Sequence, residues 1–218
     1  MIAISGQEIS KSYGHYQVLH EVSIQINQGE CFALFGPNGA GKTTLLKIFA
    51  TLSRPTAGQI KILGRDAVKE KDMVRASMMF LAHGSYLYDE LNAIENLQFA
   101  MGLRHLTPSL RSIASTLDRV GIGAFSGMKV RNFSAGMKKR LNLAKAMLAQ
   151  PHVLLLDEPF TALDDSGIAL MQEYIVERVT NGGAVLMSTH DRDKAAPLAH
   201  HAGVLSQGIL KTVSSKAG

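Results

Sequence analysis

Tryptophan is missing from this chain, cysteine occurs once, and aromatic residues make up only 6% of it. A lone cysteine excludes a disulfide framework, and the apolar run around Cys31 marks it as a buried structural thiol. The longest apolar runs, residues 153–156 and 184–187, fall far below the roughly 20 residues that span a bilayer. No basic segment followed by an apolar one opens the chain, so no secretory signal is visible. Repeats, heptads and low-complexity blocks are absent too, and only residues 214–218 have the composition of a frayed tail. What remains is 218 residues, 46% of them hydrophobic, enough for a substantial core in one or two lobes. The expectation is a soluble intracellular protein.

The formal net charge of +5 permits contact with anions without demanding it. The densest cluster, Lys138-Lys139-Arg140, falls in a helix-forming stretch and is expected to form a solvated helix face. No aromatic residues are interleaved with it, so no nucleic-acid partner is inferred.

Val22, Ile24 and Ile26 alternate with polar residues, and Asn27-Gln28-Gly29 then turns the chain into the apolar run 31–35. This pattern predicts antiparallel β-structure leading into the next segment. Residues 45–52 are expected to be helix, closed by Arg54-Pro55-Thr56-Ala57-Gly58, with a short strand at 59–63 and another at 78–82. From about 91 to 149 helical spacing dominates: Ile94, Leu97 and Met101 form one stripe, and Leu110, Ile113 and Leu117 another. Buried strands resume at 153–156 and 184–187. A β-rich lobe (about 1–83 and 150–218) is thus interrupted by a helical insertion (about 84–149) within a single α/β domain spanning 1–218.

Between the run 31–35 and the helical run 45–50 lie Gly36, Pro37, Asn38, Gly39, Ala40, Gly41, Lys42, Thr43 and Thr44. They read G-x-x-x-x-G-K-[ST] in a strand–loop–helix context, the phosphate-loop pattern. Backbone amides of such a loop wrap nucleotide phosphates, and the following helix aims its positive end at them. Lys42 supplies an ammonium for the β- and γ-phosphates, and the Thr43 hydroxyl is placed to ligate Mg²⁺. The run 153–156 ends in Asp157-Glu158, at the carboxyl end of a buried strand, where ligands of open α/β sheets gather. Adjacent strand residues face opposite ways, which suits Asp157 to the metal and Glu158 to the attacking water as base.

Upstream of Asp157 stands Asn132-Phe133-Ser134-Ala135-Gly136-Met137, which resembles the signature motif of ABC ATPases. Ser134 suits a helix N-cap, and free amides at Ala135 and Gly136 form an anion site there. Further landmarks follow in the family's order. Thr161-Ala162-Leu163-Asp164 resembles the D-loop, His190 resembles the switch histidine, and Tyr13 in Lys11-Ser12-Tyr13-Gly14 sits where the family stacks an aromatic on adenine. The resemblance covers essentially the whole chain. It implies a P-loop NTPase fold with a RecA-like core, an N-terminal antiparallel β-subdomain and an inserted helical subdomain. It also implies ATP and Mg²⁺ as ligands, and hydrolysis carried by Lys42, Glu158 and His190.

One departure concerns the end of the 78–82 strand, where the family has a glutamine at the metal site and this chain has His83. A neutral imidazole still accepts from metal-bound water, but its charge changes near neutral pH. The His83 substitution, the L-N-A-I-E-N-L stretch at 91–97, Ser134-Ala135-Gly136 and the 157–164 segment are together similar to the haem-export ATP-binding subunits of bacterial cytochrome c maturation. Met137 stands where those subunits have glutamine, and Gly136-Met137-Lys138-Lys139-Arg140 resembles drug- or polysaccharide-export ATPases instead. In this family the signature completes the ATP site of a facing subunit. The resemblance therefore implies a dimer of two identical or similar ATPase chains. It also implies separate transmembrane permease subunits and a peripheral position on the cytoplasmic face of the plasma membrane.

Overall fold

The computed structural model describes residues 1–82 and 86–213. Their elements are β1 (Ile2–Tyr13), β2 (Tyr16–Asn27), β3 (Cys31–Phe35), α1 (Lys42–Phe49), β4 (Ala57–Ile62), β5 (Arg65–Asp66), α2 (Lys71–Ser77), β6 (Met78–Leu81), α3 (Ala93–Gly102), α4 (Leu110–Arg119), α5 (Ala135–Ala149), β7 (Val153–Asp157), α6 (Asp165–Thr180), β8 (Ala184–Ser188), α7 (Arg192–Ala195), β9 (His201–Ser206) and β10 (Ile209–Val213). The chain divides into two compact units. One comprises Met1–Phe80, Pro151–Pro159 and Ile175–Gly218; the other comprises Leu81–Gln150 and Phe160–Tyr174. The sequence pattern drew residues 160–174 to the nucleotide lobe, whereas by compactness they group with the helices.

The first unit holds two sheets, one ordered β2-β1-β4-β5 and one ordered β10-β9-β3-β8-β7-β6. In the four-stranded sheet β1 runs antiparallel to both β2 and β4. In the six-stranded sheet β3 pairs in parallel with β8 and β9, and β7 pairs in parallel with β8. The antiparallel structure expected around Val22–Ile26 is found in the pairing of β2 with β1, whereas β3, which follows it, has parallel neighbours. The turn after Asn27 carries the chain from one sheet to the other, and β3 enters a parallel neighbourhood. The reason is burial: every residue of β3, β7 and β8 is buried, as a parallel strand covered on both faces requires. In β2, by contrast, Val22, Ile24 and Ile26 are buried while their neighbours face out. The core gathers Leu45, Leu46, Ile48 and Phe49 of α1 against Val153 and Leu155 of β7 and Leu186 of β8.

The second unit is built on helices. Leu97 and Met101 of α3, Ile113 and Leu117 of α4, and Leu141 and Ala144 of α5 are buried, so the helical stripes are realised. Leu110, expected in the second stripe, is 64% exposed instead. Asn92 caps α3 in a reciprocal capping box with Glu95, and Ser109 caps α4.

Candidate functional site

β3 delivers the chain to Gly36, where φ is 149° and a Cβ would lie 2.1 Å from the Leu205 carbonyl oxygen. Only glycine passes there. Gly41, at φ 102°, caps α1 without any side-chain hydrogen bond, and a Cβ on it would meet Leu19 at 2.8 Å. The helix consequently starts at Lys42, three residues earlier than its apolar run suggests. The first turn of α1 holds no acidic residue, so its amides and dipole face outward as an anion site. Lys42 is 7% exposed, and its ammonium donates to the carbonyls of Gly36 at 2.7 Å and Pro37 at 3.1 Å. Two of its three donors thereby hold the loop in shape and the third is available to a ligand.

The Thr43 hydroxyl donates to Asp157 Oδ2 at 2.9 Å, and Ser188 donates to Asp157 Oδ1 at 2.5 Å. Asp157 itself is 2% exposed, and it lies in register with Ser188 across β7 and β8. The two hydroxyls orient a carboxylate that would be costly to bury without partners. A hydroxyl oxygen and a carboxylate oxygen side by side are hard donors of the kind Mg²⁺ prefers. Among the described residues no group of three His, Cys, Asp or Glu side chains is poised for a metal. A bound ion would therefore rest on Thr43, Asp157 and the phosphate oxygens of the nucleotide.

β7 stops at Asp157 because Glu158 leaves the strand in the left-handed region, at φ 49°. Its amide donates to the Ser188 carbonyl at 2.9 Å, so the turn stays tied to β8. This turn, more than strand alternation, separates the two carboxylates. Asp157 points to Thr43 and Ser188, while Glu158 Oε2 lies 2.9 Å from His190 Nδ1. The His190 ring is 70% exposed and the Glu158 side chain 16%. His190 follows Thr189, whose amide donates to the Leu34 carbonyl at 3.1 Å, so β3 and β8 set its height.

Tyr13 ends β1, and its ring is 53% exposed with the Lys11 ammonium 4.7 Å from its centroid. Lys11 is tethered in turn to the Arg54 carbonyl at 2.7 Å. Val18 and Leu19, just beyond the same hairpin, pack against Gly41 at the end of the phosphate loop. Loop, acidic pair, His190 and Tyr13 thus share the first unit. Ser134, Ala135 and Gly136 belong to the second, where Ser134 caps α5 by accepting from the Met137 amide at 3.2 Å. His83 lies outside the described residues.

Two functional groups escaped the sequence reading. Ser188 looked like the polar end of an apolar strand, and only its register opposite Asp157 reveals its part. The basic run was expected on a solvated face, and the structure overturns this. Lys138 pairs with Asp89 at 2.9 Å, Lys139 is 9% exposed, and Arg140 pairs with Asp164 at 2.5 Å. Cys31 is buried, which pushes its thiol up to about 12 and leaves it inert at neutral pH.

A phosphate loop at the end of a parallel strand, with a buried aspartate ending another strand of the same sheet and a glutamate–histidine pair beside it, defines a P-loop ATPase. The ABC transporter family model matches residues 19–161, and the chain belongs to that family. It is an ABC ATPase subunit of a transporter. It is 36% identical to the daunorubicin resistance ATP-binding protein DrrA3 of Streptomyces coeruleorubidus, over 95% of this chain and 66% of that one. It is 34% identical to the cytochrome c biogenesis ATP-binding export protein CcmA of Pseudomonas putida, over 79% of this chain and 82% of that one. A solved structure of an ATP-binding subunit of an ABC transporter superposes with TM-score 0.90 at 28% identity, covering 97% of this chain and 90% of that one. The chain thus spans about two thirds of the length of DrrA3.

Proposed function

We propose that the chain couples ATP hydrolysis to export through separate membrane subunits. Two copies act together, each signature segment completing the ATP site of the other. The observation that carries this reading is the joint placement of Lys42, Thr43, Asp157, Glu158 and His190 around one loop. Lys42 and the loop amides bind the triphosphate, and Tyr13 offers a ring for the adenine, stacking being worth roughly 1–3 kcal/mol. Glu158 orients a water toward the γ-phosphate and takes its proton, while His190 holds the carboxylate in place. Thr43 and Asp157 are the residues that would hold Mg²⁺, which when bound neutralises charge on the β- and γ-oxygens. Ser134, Ala135 and Gly136 of the facing copy supply further donors at the γ-phosphate. His83 stands in the sequence where the family has a glutamine.

No helix of the described residues is long and apolar enough to cross a membrane, which suits a peripheral subunit on the cytoplasmic face. A docking face for the permease is supported by the second unit. Tyr86, Tyr88, Phe99, Leu103 and Leu110 are all exposed there, and Tyr88 and Phe99 meet edge to face at 4.7 Å. For cargo, likeness to CcmA and the Ser134–Gly136 and 157–164 segments favour haem export in cytochrome c biogenesis. Likeness to DrrA3, with Met137 after the signature, favours a drug-type exporter as the second reading. The test is Glu158→Gln in the purified chain. It is expected to bind ATP and to dimerise on doing so, with phosphate release down by about 10²–10⁴. Near-normal release by that variant overturns the assignment of the base. Copurification of the chain with its membrane partners, followed by haem quantification, separates the two cargo readings.

A further inference from the structure

Arg140 reaches three acceptors on two other segments at once. Its Nη1 donates to the Val120 carbonyl at 2.9 Å, at the end of α4, while its Nη2 donates to Asp164 Oδ1 at 2.5 Å and Ser166 Oγ at 2.7 Å, at the start of α6. The side chain is only 16% exposed, although Asp164 is 68% exposed. Space for the guanidinium is left by two glycines: a Cβ on Gly121 would stand 3.1 Å from Nη1, and one on Gly167 3.2 Å from Nη2. Asp164 is doubly used, since the same Oδ1 accepts from the Gly167 amide at 3.1 Å as the cap of α6. Arg140, ahead of that capping amide, holds its carboxyl below the usual carboxylate range.

A second contact lies nearby. A Cβ on Gly136 would come within 2.8 Å of the Ala162 carbonyl oxygen, and Ala162 itself is left-handed at φ 64°. A non-glycine residue in that region is strained and persists only where its surroundings over-determine it. The segment bearing Ala162 is thus pinned at one side by Gly136 and at the other by Arg140. An ion pair with one exposed partner contributes little stability. Its value here is geometric, because a planar fork that reads three acceptors fixes orientation as well as distance.

We propose that Arg140 is a positioning residue for ATP hydrolysis: it fastens Asp164 and Ser166 to the helix opened by Ser134, so that the signature end and the 161–164 loop meet the facing copy as one rigid surface. The proposal rests on the dimer reading above. Its effect falls on the ATP held by the other subunit, not on the loop of its own chain. Misplacement by about 1 Å is sufficient to cost roughly 10²-fold in rate.

The experiment uses mixed dimers of full-length chains in the assembled transporter. One pairs an Arg140→Ala subunit with a Lys42→Ala subunit, which leaves one ATP site wholly intact. The other pairs a subunit carrying both changes with a wild-type subunit, which leaves none. The expected result is at least tenfold more ATPase from the first pair, with MgATP affinity of the Arg140→Ala subunit unchanged. Arg140→Lys, a point charge without the fork, is expected to rescue little, and Asp164→Asn repeats the pattern should Arg140→Ala fail to fold. Equal rates from the two pairs, with ATP-driven dimerisation intact in Glu158→Gln, overturn the positioning role alone. Loss of that dimerisation overturns the dimer reading and this role together.

Discussion

Thr43 donates its hydroxyl to Asp157 across 2.9 Å, joining the first turn of α1 to the last residue of β7. Both oxygens belong to the proposed Mg²⁺ site, so Thr43→Val removes a ligand while keeping the shape of the side chain. The expected outcome is at least about a tenfold rise in the Mg²⁺ needed for half-maximal ATPase, checked by titrating the metal at saturating ATP. An unchanged Mg²⁺ dependence would remove Thr43 from the site.

Ser188 is fully buried and donates to the other oxygen of Asp157. Ser188→Ala leaves that buried carboxylate with one fewer partner. Denaturant unfolding is expected to report a loss of about 1–3 kcal/mol. Turnover is expected to fall as well, because the carboxylate is freer to rotate.

Glycines of the loop differ in how much they tolerate. Gly36→Ala drives a methyl into the Leu205 carbonyl at 2.1 Å, whereas Gly39→Ala, at φ 79°, meets nothing within 4 Å. Gly36→Ala is expected to cost upwards of about 3 kcal/mol and abolish nucleotide binding. Gly39→Ala is expected to cost about 1 kcal/mol from backbone strain alone. Thermal melting with and without ATP distinguishes the two.

Lys145 on α5 is desolvated and lies in the field of Arg104, which together bring its ammonium down from 10.5 to about 8. The unfolded chain therefore binds the proton more tightly than the folded one. Burial of the charge destabilises the fold fully below pH 8, and this penalty fades as pH rises from 8 toward 10.5. Lys145→Met is expected to stabilise the protein at pH 7 by at most about 3 kcal/mol, with the gain shrinking at pH 10. Unfolding free energies of both proteins at the two pH values check the sign.

Much of this site was legible because its chemistry demands rare local patterns. The run from Gly36 to Thr44 needs glycines where the backbone turns and a lysine where the phosphate is proposed to sit. The carboxylates at Asp157 and Glu158 close a wholly apolar strand, and Ser134 announces a helix start. Other parts were hidden for physical reasons. β1 reads I-A-I-S-G-Q-E-I-S-K-S-Y, and register shifts along its pairing with β2 break any clean alternation. Ser188 matters only through its partner across the sheet, 31 residues away in sequence. Arg140 lay inside a charge run whose usual meaning is a wet surface, and its acceptors sit on segments 20 and more residues distant.

The central claim is that one loop grips the triphosphate while Thr43, Asp157, Glu158 and His190 surround its far end. A structure of the Glu158→Gln variant with ATP and Mg²⁺ tests it most directly. The account predicts the γ-phosphate against Lys42, Mg²⁺ between Thr43 and Asp157, residue 158 facing the attacking water, and the signature segment of a second copy closing the site. Nucleotide bound away from Lys42, or a site closed without any second copy, would contradict it.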